Sequence, residues 1–184
     1  MKIAIINDTH WGARGDKQAL IDHMEIFHDH VFFPTLKKHK IHTVWHLGDL
    51  VDRRKFINFN TLATMKRVFL DPLCSQYTTH FVLGNHDMYY KNTVTPNALD
   101  ELLSEYVKED ADWRQDCTVY TEPTVVRKSH GDITVIPWIC EGTEEKARQL
   151  ISEASTRYCF GHLELREWEM DRGRYSHEGD DKED

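Results

Sequence analysis

The chain has 184 residues, 40% of them apolar and 29% charged, with a formal net charge of −8. That length and balance describe one globular domain with its own core and at most a small appendage, and they argue against a protein that grips DNA over a broad basic face. No apolar run reaches the 18 residues of a membrane span or forms a signal-peptide core, so the chain is expected in the cytosol, with no membrane partner.

Residues 2–6 form a short apolar run ending at Asn7-Asp8, which predicts a buried first strand. Residues 17–33 place Leu20, Ile21, Met24, Phe27 and Val31 near a 3.6 period and predict a helix, with Pro34 following it. Residues 42–47 read as a strand ending at Gly48. Residues 56–70 read as a helix with Leu62, Met65 and Phe69 on one face and Asp71-Pro72 as its stop. A third strand over 80–83 ends at Gly84. Thr95-Pro96 opens a third helix with Pro at the first helical position, and Leu99, Leu102 and Leu103 mark its apolar side.

The β-α-β-α-β-α order predicts an α/β layered fold with a largely parallel first sheet. Three stretches without intervening helices, 118–120, 124–127 and 133–136, predict a second sheet or an antiparallel extension. A helix over 143–154 follows, N-capped by Thr143, and a last strand over 157–160 ends at Gly161-His162. Residues 1–162 are read as one domain, and 163–184 as a charged, flexible tail whose residues 178–184 carry −4 of the net −8.

Four cysteines, Cys74, Cys117, Cys140 and Cys159, form no C-x-x-C pair and are expected as buried, reduced thiols. Twelve histidines are a surplus that must be surface decoration or metal chemistry. His23, His28, His30, His39 and His42 make no i,i+4 metal pair and predict a solvated helix face.

The chemistry collects at strand ends. Asn7-Asp8-Thr9-His10, Gly48-Asp49-Leu50-Val51-Asp52, Gly84-Asn85-His86-Asp87 and Gly161-His162 each follow a predicted strand. In an open α/β sheet, ligands bind beyond the carboxyl ends of the strands, so the four loops can converge. Carboxylate, imidazole and one amide suit Mn²⁺, Fe²⁺ or Zn²⁺ better than Ca²⁺ or Mg²⁺. Without a thiolate, a structural zinc site is unsupported. Each motif alone is as readily a turn or a cap; their order and spacing make the set specific.

The set Asp8-x-His10, Gly48-Asp49-x-x-Asp52 and Gly84-Asn85-His86-Asp87 resembles the calcineurin-like metallophosphoesterase superfamily. Within it, NDTHWG at 7–12 is similar to the SbcD-like DNA repair nucleases, and YKNTVTPNA at 90–98 with IPWICE at 136–141 is similar to the recombination-exonuclease subunits of T-even-type phages. The resemblance implies layered sheets flanked by helices, a bacterial or phage-infected cytosol, and two divalent ions, Mn²⁺ foremost, with Fe²⁺, Zn²⁺ or Mg²⁺ as alternatives. Asp8 and His10 would bind the first ion, Asp49 would bridge, and Asn85 and His162 would bind the second. His86 would stabilise the transition state or protonate the leaving oxygen, oriented by Asp52. Arg53 stands where related phosphatases place a phosphate-binding arginine. DNA is the implied substrate.

The sequence departs from the family in one motif. The late Gly-His-x-His, each of whose histidines ligates one ion, is absent, and His177 reads as a loop residue rather than a replacement. The expectation is a second sheet left incomplete, weak metal binding and reduced or absent turnover. The resemblance also implies that the segment that docks the SbcC-like ATPase partner of full-length relatives is expected to be missing from these 184 residues. The apolar sides of helices 56–70 and 95–107, which in the nucleases form a dimer bundle, imply either a homodimer or ordinary core packing. Arg53-Arg54-Lys55 either contacts the DNA backbone or is a charged turn. The leading reading is a DNA exo/endonuclease. The alternatives are a small-substrate phosphatase or phosphodiesterase of the same superfamily, or an inactive binding module that dimerises with or decoys a full-length nuclease.

Overall fold

The computed structural model describes residues 2–107, 116–128, 131–164, 169–171 and 174–175. The first sheet has strand order β1-β2-β3-β4, from β1 (Ile3–Ile6), β2 (Thr43–His46), β3 (Thr78–Val82) and β4 (Cys117–Tyr120), all parallel. Its strands alternate between two cores, as a period of 2 requires. Val44, Phe81 and Leu83 enter the larger core with Phe69, Leu70 and Leu99 from the helices. Trp45 and Val82 point the other way, onto Ile133 and Val135.

Those last residues belong to a second, mixed sheet ordered β5-β6-β7. Strand β5 (Thr124–Val126) runs antiparallel to β6 (Ile133–Ile136), and β7 (Tyr158–Gly161) runs parallel to β6. The fold is therefore α/β, with helices on one face of a parallel sheet and a second sheet on the other. The stretch at 118–120 belongs to the first sheet as β4 and not to the second: Thr79 N–H donates to Asp116 O, and Leu83 N–H to Tyr120 O. In the 163–184 segment, β8 (Glu169–Asp171) pairs antiparallel with β9 (Arg174–Tyr175), although the sequence there shows no strand period.

Two helices run past the prolines expected to stop them. Helix α1 (Gln18–Phe27) widens into a π turn at His28–Phe32 and continues as α2 (Phe33–His39). Likewise α3 (Phe59–Met65) passes through a π turn at Lys66–Leu70 into α4 (Asp71–Gln76). Each proline is the second residue after its π turn. The ladder has already shifted to i→i−5 there, with Phe33 N–H on His28 O and Asp71 N–H on Lys66 O. A residue without an N–H is absorbed where the ladder is already changing step.

Helix α5 (Ala98–Leu103) starts later than expected. Asn97, not Pro96, sets its start: the Asn97 side chain accepts from Asp100 N–H, as an N-cap does. Helix α6 (Glu144–Ser152) has Thr143 at its N-cap position, but the hydroxyl accepts from Cys140 N–H instead of capping the helix.

Among the described residues, no helix is long and apolar enough to cross a membrane. Cys74, Cys117 and Cys140 are buried free thiols, while Cys159 is exposed. The apolar residues that suggested a dimer are largely spent on the core: Met65, Phe69, Leu99 and Leu103 are fully buried.

Candidate metal centre

The loops leaving β1 and β2 run side by side beyond the sheet. Asp8 N–H donates to Gly48 O (3.0 Å), His10 N–H to Asp49 O (3.1 Å) and Trp11 N–H to Leu50 O (3.0 Å). These bonds hold Asp8, His10 and Asp49 at φ of 52°, 43° and 55°, a region costly for residues with side chains. Strained backbone thus presents three of the expected ligand side chains.

Asp87 ties the third loop to the second. Its buried carboxylate accepts from Asp49 N–H (3.0 Å), Val51 N–H (3.2 Å) and Gly84 N–H (3.0 Å). Burial pushes the Asp87 carboxyl up to about 7, against the pull of the Gly84 and Val51 N–H groups. It was not among the expected site residues. The signal was present as the last letter of Gly-Asn-His-Asp, but an aspartate ending a turn has no signature of its own.

Two glycines make room for ligand side chains. A Cβ on Gly84 would sit 2.2 Å from Asp49 N and 2.3 Å from its carboxylate. A Cβ on Gly48, at φ 107°, would sit 2.3 Å from the His162 ring.

His162 reaches the site from the end of β7. Its Nδ1 lies 2.8 Å from Leu47 O, and a carbonyl only accepts, so Nδ1 carries the proton and Nε2 keeps its lone pair. That lone pair faces Asn85 Oδ1 at 3.1 Å and Asp49 Oδ1 at 3.6 Å. With the ring neutral, His162 Nε2, Asn85 Oδ1 and Asp49 Oδ1 are three acceptors facing one another. Turning the Asn85 amide would place donors 3.1 Å from His162 Nε2 and 3.2 Å from an Asp49 oxygen. A cation among the three satisfies them as they stand. The donor set therefore fits a divalent metal on its own chemistry.

The donor atoms of Asp8, Asp49 and His162 lie within 4.8 Å of one another, as do those of His10, Asp49 and His86. All the expected ligands meet at one place around Asp49, with His86 near enough to join them. Burial opposes ionisation of Asp49, but hydrogen bonds from His162 and the His86 N–H outweigh it and hold the carboxyl below its ordinary range. Burial would lower His162, yet the Asp49 carboxylate beside it leaves it raised. A proton on Nε2 is the natural competitor of a cation there.

Asp52 meets His86 in an unexpected way. His86 Nδ1 donates to the main-chain carbonyl of Asp52 at 2.6 Å. The Asp52 carboxylate instead faces His10 Nδ1 at 3.8 Å. The backbone is placed by Asp52 N–H on Trp11 O (3.1 Å), which turns the following carbonyl towards His86. Arg53 is engaged nearby: its guanidinium donates to Asp16 (2.8 Å), which also accepts from Thr61.

His28 is not on a solvated face. It is fully buried, donates from Nδ1 to Met24 O (2.6 Å), and stacks on Trp11 within an aromatic cluster. Burial holds it below its ordinary pKa, so it packs as a neutral ring. His177 lies outside the described residues.

The calcineurin-like phosphoesterase family model matches residues 1–183. Exonuclease subunit 1 of Enterobacteria phage T4 is 32% identical over 177 residues, covering 96% of this chain and 50% of that protein. The chain therefore spans about half the length of that relative. The crystal structure of a protein of unknown function from Aquifex aeolicus superposes with a TM-score of 0.44 at 17% identity, covering 92% of this chain and 81% of that one.

Proposed function

The chain belongs to the calcineurin-like phosphoesterase family, and on that premise we propose that it is a metal-dependent phosphodiesterase that cleaves DNA as an exo- and endonuclease in recombination and repair. The observation that carries the metal dependence is the convergence of the donor atoms of Asp8, Asp49 and His162, and of His10, Asp49 and His86, each set within 4.8 Å. DNA as substrate is supported by the similarity to a phage exonuclease subunit. By the same similarity, to a protein named as a subunit, the proposal extends to a partner protein; an SbcC-like ATPase is the partner expected of full-length relatives.

In this reading Asp8 and His10 would hold one ion and Asn85 and His162 a second, with Asp49 contributing to both. Mn²⁺ is the preferred species, with Fe²⁺, Zn²⁺ and Mg²⁺ as alternatives. Divalent ions supply Lewis-acid stabilisation of the charge that develops on the phosphate. His86 is the acid for the departing sugar oxygen. Its Nδ1 proton is committed to the Asp52 carbonyl, so Nε2 is the ring nitrogen left to deliver a proton. Asp52 positions that ring through its backbone. Arg53 has guanidinium donors left beyond the one bound to Asp16 and is assigned to a phosphate oxygen.

The test is hydrolysis with Mn²⁺ of linear DNA against p-nitrophenyl phosphate. Cleavage of DNA supports the nuclease. Turnover of the small ester alone supports a phosphatase, a reading that Gly48-Asp49-Leu50-Val51-Asp52-Arg53 fits equally well. Neither activity at high Mn²⁺, together with a stable complex with a full-length relative, supports an inactive binding module.

A further inference from the structure

Beside the metal centre lies a shallow depression of about 190 Å³, lined among others by Arg53, Arg54, Lys55, Phe56, Tyr89 and Leu102. It is laid down by the two chain segments that leave the site. Arg53 directly follows Asp52, whose carbonyl holds His86, and Tyr89 comes two residues after Asp87. The Tyr89 segment is pinned at both ends: Tyr89 N–H donates to Pro96 O (3.1 Å) and Ala98 N–H to Asp87 O (2.7 Å).

Its composition is unusual for so acidic a chain. Three consecutive cations meet rings that reach solvent, with Phe56 64% exposed and Tyr89 36%. The Arg53 guanidinium lies 4.9 Å over the Phe56 ring, the Lys55 ammonium 5.6 Å from the Tyr89 ring, and Tyr89 meets Tyr90 edge-on at 4.7 Å. Arg53 has Asp16 as its counter-ion. Arg54 differs: its Nη1 is buried and has no hydrogen-bond partner. A buried guanidinium nitrogen with nothing to donate to is costly unless an anion arrives.

We propose that this depression binds the unpaired strand of a DNA end, with a base stacked on Tyr89 and Phe56 and a backbone phosphate on Arg54 and Lys55. Alternating cations and exposed aromatic faces are what a single-stranded polynucleotide requires, because every base has a π-face and every step a phosphate. At about 190 Å³ the depression is smaller than the roughly 300–1,000 Å³ of pockets that enclose free small ligands. An open platform next to the metals instead suits a polymer that passes over it. The proposal rests on the nuclease reading and names the strand form that reading leaves open.

The experiment is fluorescence anisotropy of the full chain with a labelled oligo-dT strand and with a blunt duplex, both in EDTA. Oligo-dT should bind tighter than the duplex. Tyr89→Ala and Phe56→Ala should each weaken it by roughly 5- to 150-fold, the range for losing one base stack, while Tyr89→Phe should bind as the parent does. Arg54→Ala should weaken binding and reduce the slope of log affinity against log salt by about 0.7. An abasic strand should lose the Tyr89 dependence and keep that of Arg54.

Equal affinities across these variants overturn the proposal. So does a Phe56→Ala that shifts a monomer–dimer equilibrium in sedimentation and leaves oligo-dT binding untouched, since the face would then join two copies. The variant pattern without any Mn²⁺-dependent DNA cleavage would uphold the depression and sink the nuclease. Cleavage with unaltered variant affinities would do the reverse.

Discussion

Asp52 holds His86 through its main-chain carbonyl, 2.6 Å from Nδ1, while its carboxylate turns away to His10. A carbonyl fixes the tautomer of the ring as firmly as a carboxylate does, but lends it no charge. Asp52→Asn should therefore leave the pH profile of turnover in place and lower the rate by less than 10-fold. His86→Gln removes the proton itself and should cost the ~10²–10⁴-fold typical of a general acid. Comparing the two pH–rate profiles decides the matter. An Asp52→Asn profile displaced by a full unit would mean that the carboxylate governs the ring after all.

Asp49 is the group on which both ligand sets depend. Loss of a residue that merely supports a ligand typically costs ~10–100-fold in metal affinity, and Asp49→Asn should cost more. Titration calorimetry with Mn²⁺ and a DNA cleavage assay read this directly. Cleavage that survives Asp49→Asn would remove the metal assignment altogether.

Asp87 satisfies three backbone N–H groups that face no other acceptor. Asp87→Ala strands all three in the core, at ~1–3 kcal/mol for each buried orphan. The expected loss of stability is about 3 kcal/mol or more in urea unfolding, with metal affinity falling alongside because the Asp49 and Gly84 loops come apart. A stable Asp87→Ala protein that binds Mn²⁺ normally contradicts this.

Gly84→Ala is expected to be damaging for a different reason. The added methyl would overlap both the backbone and the carboxylate of Asp49. The cost should sit at the upper end of the ~1–3 kcal/mol of overpacked sites. Gly142, with open space around its Cβ position, is the matching control, and Gly142→Ala should unfold as the parent does.

Acid should weaken the fold through His80 and His46. Burial holds both imidazoles down to about 3, with Lys128 adding to the effect at His80 and His162 at His46. His80 also faces Tyr120, whose hydroxyl lies 3.0 Å from Nδ1, and stacks on Trp45. Unfolded, each ring takes up a proton near pH 6.5. Between those values the unfolded chain binds more protons, so stability is intact above about 6.5 and falls as the pH drops towards 3. At pH 5 each ring accounts for about 2 kcal/mol. Asp87, raised to about 7, titrates in the opposite sense, so the His80 share is read as the difference between the parent and His80→Phe in the change of urea midpoint from pH 7.5 to 5.0. A His80→Phe protein with the parent's pH dependence refutes it.

The strand ends were legible because an apolar run followed by Asp, Asn or Gly carries two signals at once: a buried strand and a polar exit. Asp8, Asp49 and Asn85 stand at such exits. Pro34 and Pro72 misled because a proline is read as a stop from its missing N–H, and nothing local announces that a π turn has already shifted the ladder before it. His28 misled because imidazole is at home in water and in an aromatic core alike, and only the ring of neighbours around it decides. The placement of β4 beside β3 needed pairing across 38 residues, from Thr79 to Cys117, which no periodicity encodes.

His162 closes on Leu47 across 115 positions of sequence. The parallel sheet can assemble once Tyr120 has left the ribosome, because all four of its strands are by then in hand. At that stage Asp49 and Asn85 face one another with no imidazole between them. The site is therefore assembled in two stages: the donor group of His10, Asp49 and His86 stands once the parallel sheet has formed, whereas that of Asp8, Asp49 and His162 closes only when β7 docks.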